Sequence, residues 1–192
     1  MNIGIYIYDQ AEVLDFSGPF EVFTTASRVS GEEAPFSVFL IAEQDGPVTA
    51  RAGYQVLPNA TIDNHPPIDV LIIVGGVHTG EMANEKVKAW IVHQAAIVQQ
   101  VATVCTGIFL VANAQPSLKG RVTTHWDDQG DLKAQFPQLD VVEDVRWVDD
   151  GGVISSGGIS AGIDMCLHLV AKLRSTELAE KTARQMEYRW NR

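Results

Sequence analysis

Cys105 stands in Val104-Cys105-Thr106-Gly107, where an apolar run gives way to helix-forming sequence. A thiol at such a turn is placed for nucleophilic chemistry. Backbone N–H groups at a helix N-terminus favour negative charge and lower a thiol pKa from about 8.5. The same donors, here those of Thr106 and Gly107, can hold an anion that develops on a substrate. Gly107 allows the tight turn and a close approach. Gly75-Gly76 ends another apolar run, and its N–H groups, unshielded by side chains, can complete an anion hole. The commoner fate of a cysteine is to be a small buried hydrophobe; the turn setting favours the reactive reading.

The elements that must position this turn follow from the pattern of apolar residues. Ile3 to Tyr8, Phe36 to Ile41, Asp69 to Val74, Val101 to Val104 and Val153 to Ser155 read as strands. The near-continuous Val70-Leu71-Ile72-Ile73-Val74 suits a strand covered on both faces. A helix is predicted after Gly18-Pro19, since Pro is favoured in a first turn. Further helices are predicted over Glu85 to Gln99, from Ile108 to Ala114, from near Ser160 to Leu173, and over Thr176 to Tyr188. Val141-Val142 and Val145 to Val148 read as a hairpin around Glu143-Asp144. Strands alternating with helices imply a single-domain, doubly wound, mostly parallel sheet over residues 1–192. Ligands then sit beyond the carboxyl ends of the strands, at the loops after Tyr8, Val74, Val104 and Ser155.

The bulk composition narrows the partners. The 192 residues are 46% hydrophobic and 20% charged, with a formal net charge of −10. That charge argues against a nucleic-acid surface. No apolar stretch approaches the roughly 20 residues of a membrane span, and no basic, apolar leader opens the chain. Two cysteines make no disulfide framework; free thiols suit a reducing compartment, and a cytoplasmic location is expected. The five histidines show no metal-ligand spacing, so neither a metal nor a cofactor is called for.

Several elements occur together and in order: Leu14-Asp15-Phe16-Ser17-Gly18-Pro19, Ile73-Val74-Gly75-Gly76, Val104-Cys105-Thr106-Gly107, Thr123-Thr124-His125-Trp126 and Ser156 to Asp164. In this the sequence resembles the ThiJ/PfpI superfamily, whose fold is like that of class I glutamine amidotransferases, and the likeness spans nearly the whole chain. The details resemble its isonitrile hydratase branch, which has aspartate at the position of Asp15 and threonine at that of Thr106. The protease-like branch has histidine directly after the cysteine, so a peptidase is disfavoured. The resemblance implies Cys105 as nucleophile, Asp15 as proton carrier, Thr106 as an orienting group, and a homodimer acting on a small-molecule substrate. Leu14 and Phe16 would desolvate Asp15 and raise its pKa; a helix-capping role is its alternative. Glyoxalase- or amidase-like enzymes share the thiol, as do the sensor domains of AraC-type regulators and redox sensors that oxidise it.

Other signals carry less. Gly158-Ile159-Ser160-Ala161-Gly162 fits a serine nucleophile elbow, but Asp164 and His168 share the serine's own helix and cannot converge on it. Ser160 is read as a helix start. His125 is given a hydrogen-bonded structural role, and Phe20, Val77, His78 and Ile159 are expected to line the pocket. Gly75-Gly76-Val77 is no dinucleotide fingerprint. The four tryptophans are read as core or interface residues.

Overall fold

The strands that read as apolar runs lie side by side in the centre of the protein. In a computed structural model, which describes residues 1–31 and 35–192, the chain runs β1 (Asn2–Tyr6), α1 (Val13–Val29), β2 (Ser37–Ala42), β3 (Val48–Thr49), β4 (Gln55–Val56) and β5 (Ala60–Thr61). It continues through β6 (Val70–Ile73), α2 (Thr79–Met82), α3 (Glu85–Ala95), β7 (Gln100–Thr103), α4 (Gly107–Ala114) and β8 (Gly120–Val122). The remainder is α5 (Gln129–Gln135), β9 (Leu139–Val141), β10 (Trp147–Asp149), β11 (Ile154–Ser156), α6 (Ala161–Leu173) and α7 (Thr176–Gln185).

The main sheet has seven strands in the order β10-β11-β7-β6-β1-β2-β5. Every pairing in it is parallel except β10 with β11. This is the doubly wound, mostly parallel architecture read from the sequence. Ile3, Ile5, Leu71, Ile72 and Ile73 are fully buried, each such side chain stabilising the fold by roughly 1.5–3 kcal/mol. The parallel register pairs Tyr6 with Ile73 and Ile73 with Thr103. The loops that leave β1, β6 and β7 therefore emerge together at one edge. Among the described residues, no helix is long and apolar enough to cross a membrane.

Two expectations fail. Helix α1 begins at Val13, not after Gly18-Pro19, and Pro19 lies inside it. Pro19 lacks the N–H that would reach the Asp15 carbonyl and its ring crowds that carbonyl, yet the helix continues to Val29. Gly18 lets α1 approach α6 so closely that a Cβ there would stand 3.0 Å from Ile163 Cγ1. The predicted hairpin is also absent. β9 pairs in parallel with β8, while β10 pairs with β11. Asp144, at φ 55°, turns the chain between them. Val141 pairs with Val122 and Val148 with Ser155, not with each other.

Candidate active site

Cys105 turns the chain from β7 into α4 with a left-handed backbone, φ 54°. Such a conformation costs a non-glycine residue about 1–2 kcal/mol. The surroundings enforce it. The Gly107 N–H donates to the Val104 carbonyl at 2.9 Å, and a Cβ on Gly107 would lie 2.2 Å from the Ile73 carbonyl oxygen. The Cys105 N–H donates to the Gly157 carbonyl at 3.2 Å, and the Cys105 carbonyl accepts the Thr124 hydroxyl at 2.8 Å. A second left-handed residue, Ile159 at φ 54°, caps the loop from β11 to α6.

The loop from β1 to α1 is laced onto Gly75 and Gly76. Glu12 N–H donates to the Gly75 carbonyl at 2.9 Å and Val77 N–H to the Gln10 carbonyl at 3.1 Å. A Cβ on Gly75 would meet Thr106 N at 2.5 Å and Cys105 Cβ at 2.8 Å. No side chain fits there, and the first turn of α1 is brought against the thiol.

Asp15, in that first turn, is fully buried. Its Oδ2 accepts the Gly75 N–H at 3.0 Å, while Oδ1 has no partner of hydrogen-bonding geometry. The Asp15 side chain makes no helix cap. Burial, with the charge of Glu12 adding to it, pushes its pKa up to about 7, against the pull of the Gly75 and Ile159 N–H groups and the Cys105 thiol. The carboxyl and the thiol thus face each other.

The thiol departs from expectation. Burial first, and the Asp15 charge second, push its pKa up, and the Thr106 and Ile159 N–H groups do not offset them. The helix N-terminus alone would have lowered it; desolvation beside a carboxylate wins. Gly75 and Gly76, expected to offer free donors, use their N–H groups on Asp15 Oδ2 and on Thr106 Oγ1, the latter at 3.0 Å. The Thr106 hydroxyl in turn donates to the Gly76 carbonyl at 3.1 Å. The donors near the sulfur are those of Thr106 and Ile159.

A cavity of about 370 Å³ opens on Cys105, lined among others by Glu12, Arg51, Gly76, Val77, His78, Thr106, His125, Asp128 and Ile159. Val77, His78 and Ile159 take the expected lining positions; Phe20 does not. His125 Nδ1 accepts the Asp127 N–H at 3.3 Å and stands 3.4 Å from Asp128 Oδ2. Its ring lies so close over Gly158 that a Cβ there would sit 2.0 Å from Cδ2.

The serine elbow does not assemble. Ser160 Oγ accepts the Arg146 guanidinium at 3.2 Å, Asp164 pairs with Arg146 at 2.6 Å, and His168 pairs with Asp149 at 2.8 Å. Trp126 is 74% exposed, not core. Among the described residues, no cluster of His, Cys, Asp and Glu could hold a metal ion.

Sequence reasoning missed two features around the site. The Ile159 backbone was hidden because its motif drew attention to Ser160. Tyr8 looked like a strand end, yet it is buried with its hydroxyl toward Thr106. An aromatic residue just past β1 in a parallel sheet, at the carboxyl edge, was the available signal.

Comparison with known proteins gives the family and the fold. The model of the DJ-1/PfpI family matches residues 1–172. An isonitrile hydratase from Pseudomonas putida is 35% identical over 190 residues, 98% of this chain and 78% of that protein. The HTH-type transcriptional regulator GbdR of Pseudomonas aeruginosa is 26% identical over 187 residues, and this chain spans 50% of its length. Among solved structures, a THiJ/PfpI family protein from Pseudomonas syringae superposes with TM-score 0.86 at 26% identity, covering 100% of this chain and 76% of that one. Drosophila melanogaster DJ-1beta shares the fold, with TM-score 0.82 at 18% identity over 98% of each chain.

Proposed function

This chain belongs to the DJ-1/PfpI family, and within it we propose a hydratase that converts small organic isonitriles into N-substituted formamides. The observation that carries the reading is the buried pair of Cys105 and Asp15, with the carboxyl pKa near 7 and one carboxyl oxygen unpartnered. A carboxyl poised there can take a proton and give it back at neutral pH. The similarity to an isonitrile hydratase supports the substrate class.

In the first step the Asp15 carboxylate takes the Cys105 thiol proton as sulfur bonds to the terminal isonitrile carbon. Asp15 then delivers that proton to the same carbon, giving an N-substituted thioimidate. In the second step water adds to the thioimidate carbon. Asp15 takes one water proton, and the imine nitrogen receives a proton from Asp15. The carbon–sulfur bond breaks as the new hydroxyl loses its proton, and the thiol is restored. The sum is isonitrile plus water giving formamide. In this reading Thr106, held by both backbone groups of Gly76, and the N–H groups of Thr106 and Ile159 orient the reacting atoms. Gly75 and Gly76 act by holding Asp15 and Thr106.

Formamide release from benzyl isonitrile, followed by chromatography, tests the proposal: the protein releases it and folded Cys105→Ala does not. Release undiminished in Cys105→Ala would eliminate the mechanism. A second reading rests on the similarity to a transcriptional regulator: the same cavity senses a ligand or an oxidant without turnover. Methylglyoxal as a parallel substrate separates a glyoxalase-like enzyme. Mass spectrometry after mild peroxide, read as a two-oxygen increment on Cys105, detects oxidation to the sulfinate. The homodimer is carried forward from the family resemblance, and sedimentation velocity decides it; the free thiols of Cys105 and Cys166 accord with a cytoplasmic setting.

A further inference from the structure

The segment Gly158-Ile159-Ser160-Ala161-Gly162 finds no partners for a serine nucleophile, yet its serine is engaged. Ser160 stands at the N-terminus of α6, where a serine side chain ordinarily accepts a helix N–H. Here it makes no such cap. Its hydroxyl instead accepts from the Arg146 guanidinium, with Nη1 and Nη2 both at 3.2 Å. The same guanidinium donates through Nε to Asp164 Oδ2 at 2.7 Å and through Nη2 to the Tyr188 hydroxyl at 3.3 Å. Asp164 is fully buried, so the guanidinium has a fixed anchor.

Arg146 also reaches this loop through its backbone. Its carbonyl accepts the Gly157 N–H at 2.9 Å, and the Gly157 carbonyl accepts the Cys105 N–H at 3.2 Å. One residue therefore grips both ends of the stretch from Gly157 to Ser160. Between the grips lies Ile159, left-handed at φ 54° and on the wall of the cavity that opens on Cys105. Cys105 is left-handed too, at φ 54°. Such conformations persist in non-glycine residues only where the surroundings over-determine them. The two grips of Arg146 supply that constraint on the loop side.

We propose that Arg146 and Ser160 are positioning residues, whose clamp on the loop from β11 to α6 holds the Gly157 carbonyl that fixes the Cys105 turn. The turnover part of the test rests on the hydratase reading above; the thiol part does not. Released from the clamp, the loop shifts and the turn loses its fixed acceptor. Cys105, 7% exposed in the intact site, then gains solvent. A loosened thiol meets small electrophiles more readily, but it meets the isonitrile in fewer productive geometries.

Ser160→Ala removes the hydroxyl and leaves the Arg146–Asp164 pair in place. With benzyl isonitrile we expect kcat to fall about 10-fold, with KM and the melting temperature little changed. Alkylation of Cys105 by iodoacetamide, followed by mass spectrometry of the Cys105 peptide, should run about 3- to 10-fold faster. Ser160→Thr keeps the hydroxyl and restores both rates. Arg146→Lys keeps a charge for Asp164 but loses the fork that also spans Ser160, and it reproduces both effects of Ser160→Ala. An alkylation rate equal to that of the unsubstituted protein overturns the clamp, whatever the turnover. An unchanged kcat also overturns it and leaves the hydratase reading standing. So does a loss of kcat that Ser160→Thr fails to restore, or one that comes with a markedly lower melting temperature, since Ser160 is then structural. An unsubstituted protein that releases no formamide overturns the hydratase reading, and alkylation alone then decides the clamp.

Discussion

Asp15 and Asp164 are both fully buried carboxylates in the first turn of a helix, α1 for one and α6 for the other. Their surroundings are opposite. Asp164 is saturated: it meets the Arg146 guanidinium at 2.6 Å, the Tyr188 hydroxyl at 3.0 Å and the Asn191 N–H at 2.8 Å. Asp15 has one N–H donor of good geometry, no cation, and an unpartnered oxygen beside a thiol. A fold can bury a charge by satisfying it or can leave it raised and reactive. The first ties the C-terminal segment to α6; the second keeps a carboxyl pKa in the neutral range, where it can move protons.

The largest effect that separates the two is on turnover. Asp15→Asn keeps an acceptor for Gly75 but cannot carry a proton, so formamide release should fall about 10²- to 10⁴-fold. In the unsubstituted protein kcat/KM should rise with pH through a midpoint near 7, as the Cys105–Asp15 pair loses its first proton. Asp15→Asn should lack that limb in its residual activity. A pH–rate profile flat between pH 5 and 9 would remove Asp15 from the chemistry.

Stability should move in the other direction. Asp15 has its pKa raised in the folded state from 3.8 to about 7, so folding favours its protonated form. That contribution is fully present below about pH 4 and is lost as pH rises through 7. Asp15→Asn should therefore be near neutral in stability at pH 4. At pH 8 it should be more stable than the unsubstituted protein by up to about 4 kcal/mol. Urea unfolding at the two pH values checks both the sign and the window. Equal effects at the two would mean that the carboxyl is not buried in its charged form.

Asp164→Ala should show the reverse profile. It leaves Arg146 without its partner and frees the segment around Asn191. Because the guanidinium is partly exposed, the low end of the range for a broken buried pair applies, about 3 kcal/mol. Activity should fall far less than in Asp15→Asn. Thermal unfolding and the formamide assay on both variants would invert the comparison if Asp164 proved the more sensitive in turnover.

Much of this contrast was legible in the sequence, and the rest was not for identifiable reasons. The runs at β1, β6 and β7 announce buried parallel strands, and Cys105 before Gly107 announces the turn. Local rules misled at Pro19, which lies inside a helix that continues to Val29, and at Val141 to Val148, where near-neighbours in sequence pair elsewhere. The thiol pKa went the wrong way because a helix N-terminus is visible in sequence while burial beside Asp15 is not. The use of the Gly75 and Gly76 donors and the approach of Tyr8 and Ile159 depend on how separate loops close, which spacing along one strand cannot encode.

The smallest effect concerns the loop that faces both Asp15 and Cys105. Ile159 is β-branched, 40% exposed, and held at φ 54°, a conformation such residues strongly disfavour. Its N–H nevertheless faces both Asp15 and Cys105. Ile159→Gly keeps that N–H and relieves roughly 1–2 kcal/mol of backbone strain. It gives back about 0.5–1 kcal/mol through the greater freedom of glycine in the unfolded chain. The net should be a gain of about 1 kcal/mol or less, read as a small rise in urea midpoint. Because the N–H is retained beside the Asp15–Cys105 pair, the kcat/KM midpoint should stay near 7 in this variant. A Pro at the same position removes the donor but also forbids the positive φ, so it cannot separate the two effects. Ile159→Gly therefore isolates strain from electrostatics: a gain in stability with an unmoved pH midpoint assigns the left-handed turn to positioning the N–H, while a loss of stability would mean that the isoleucine side chain, not the backbone, is what the fold requires there.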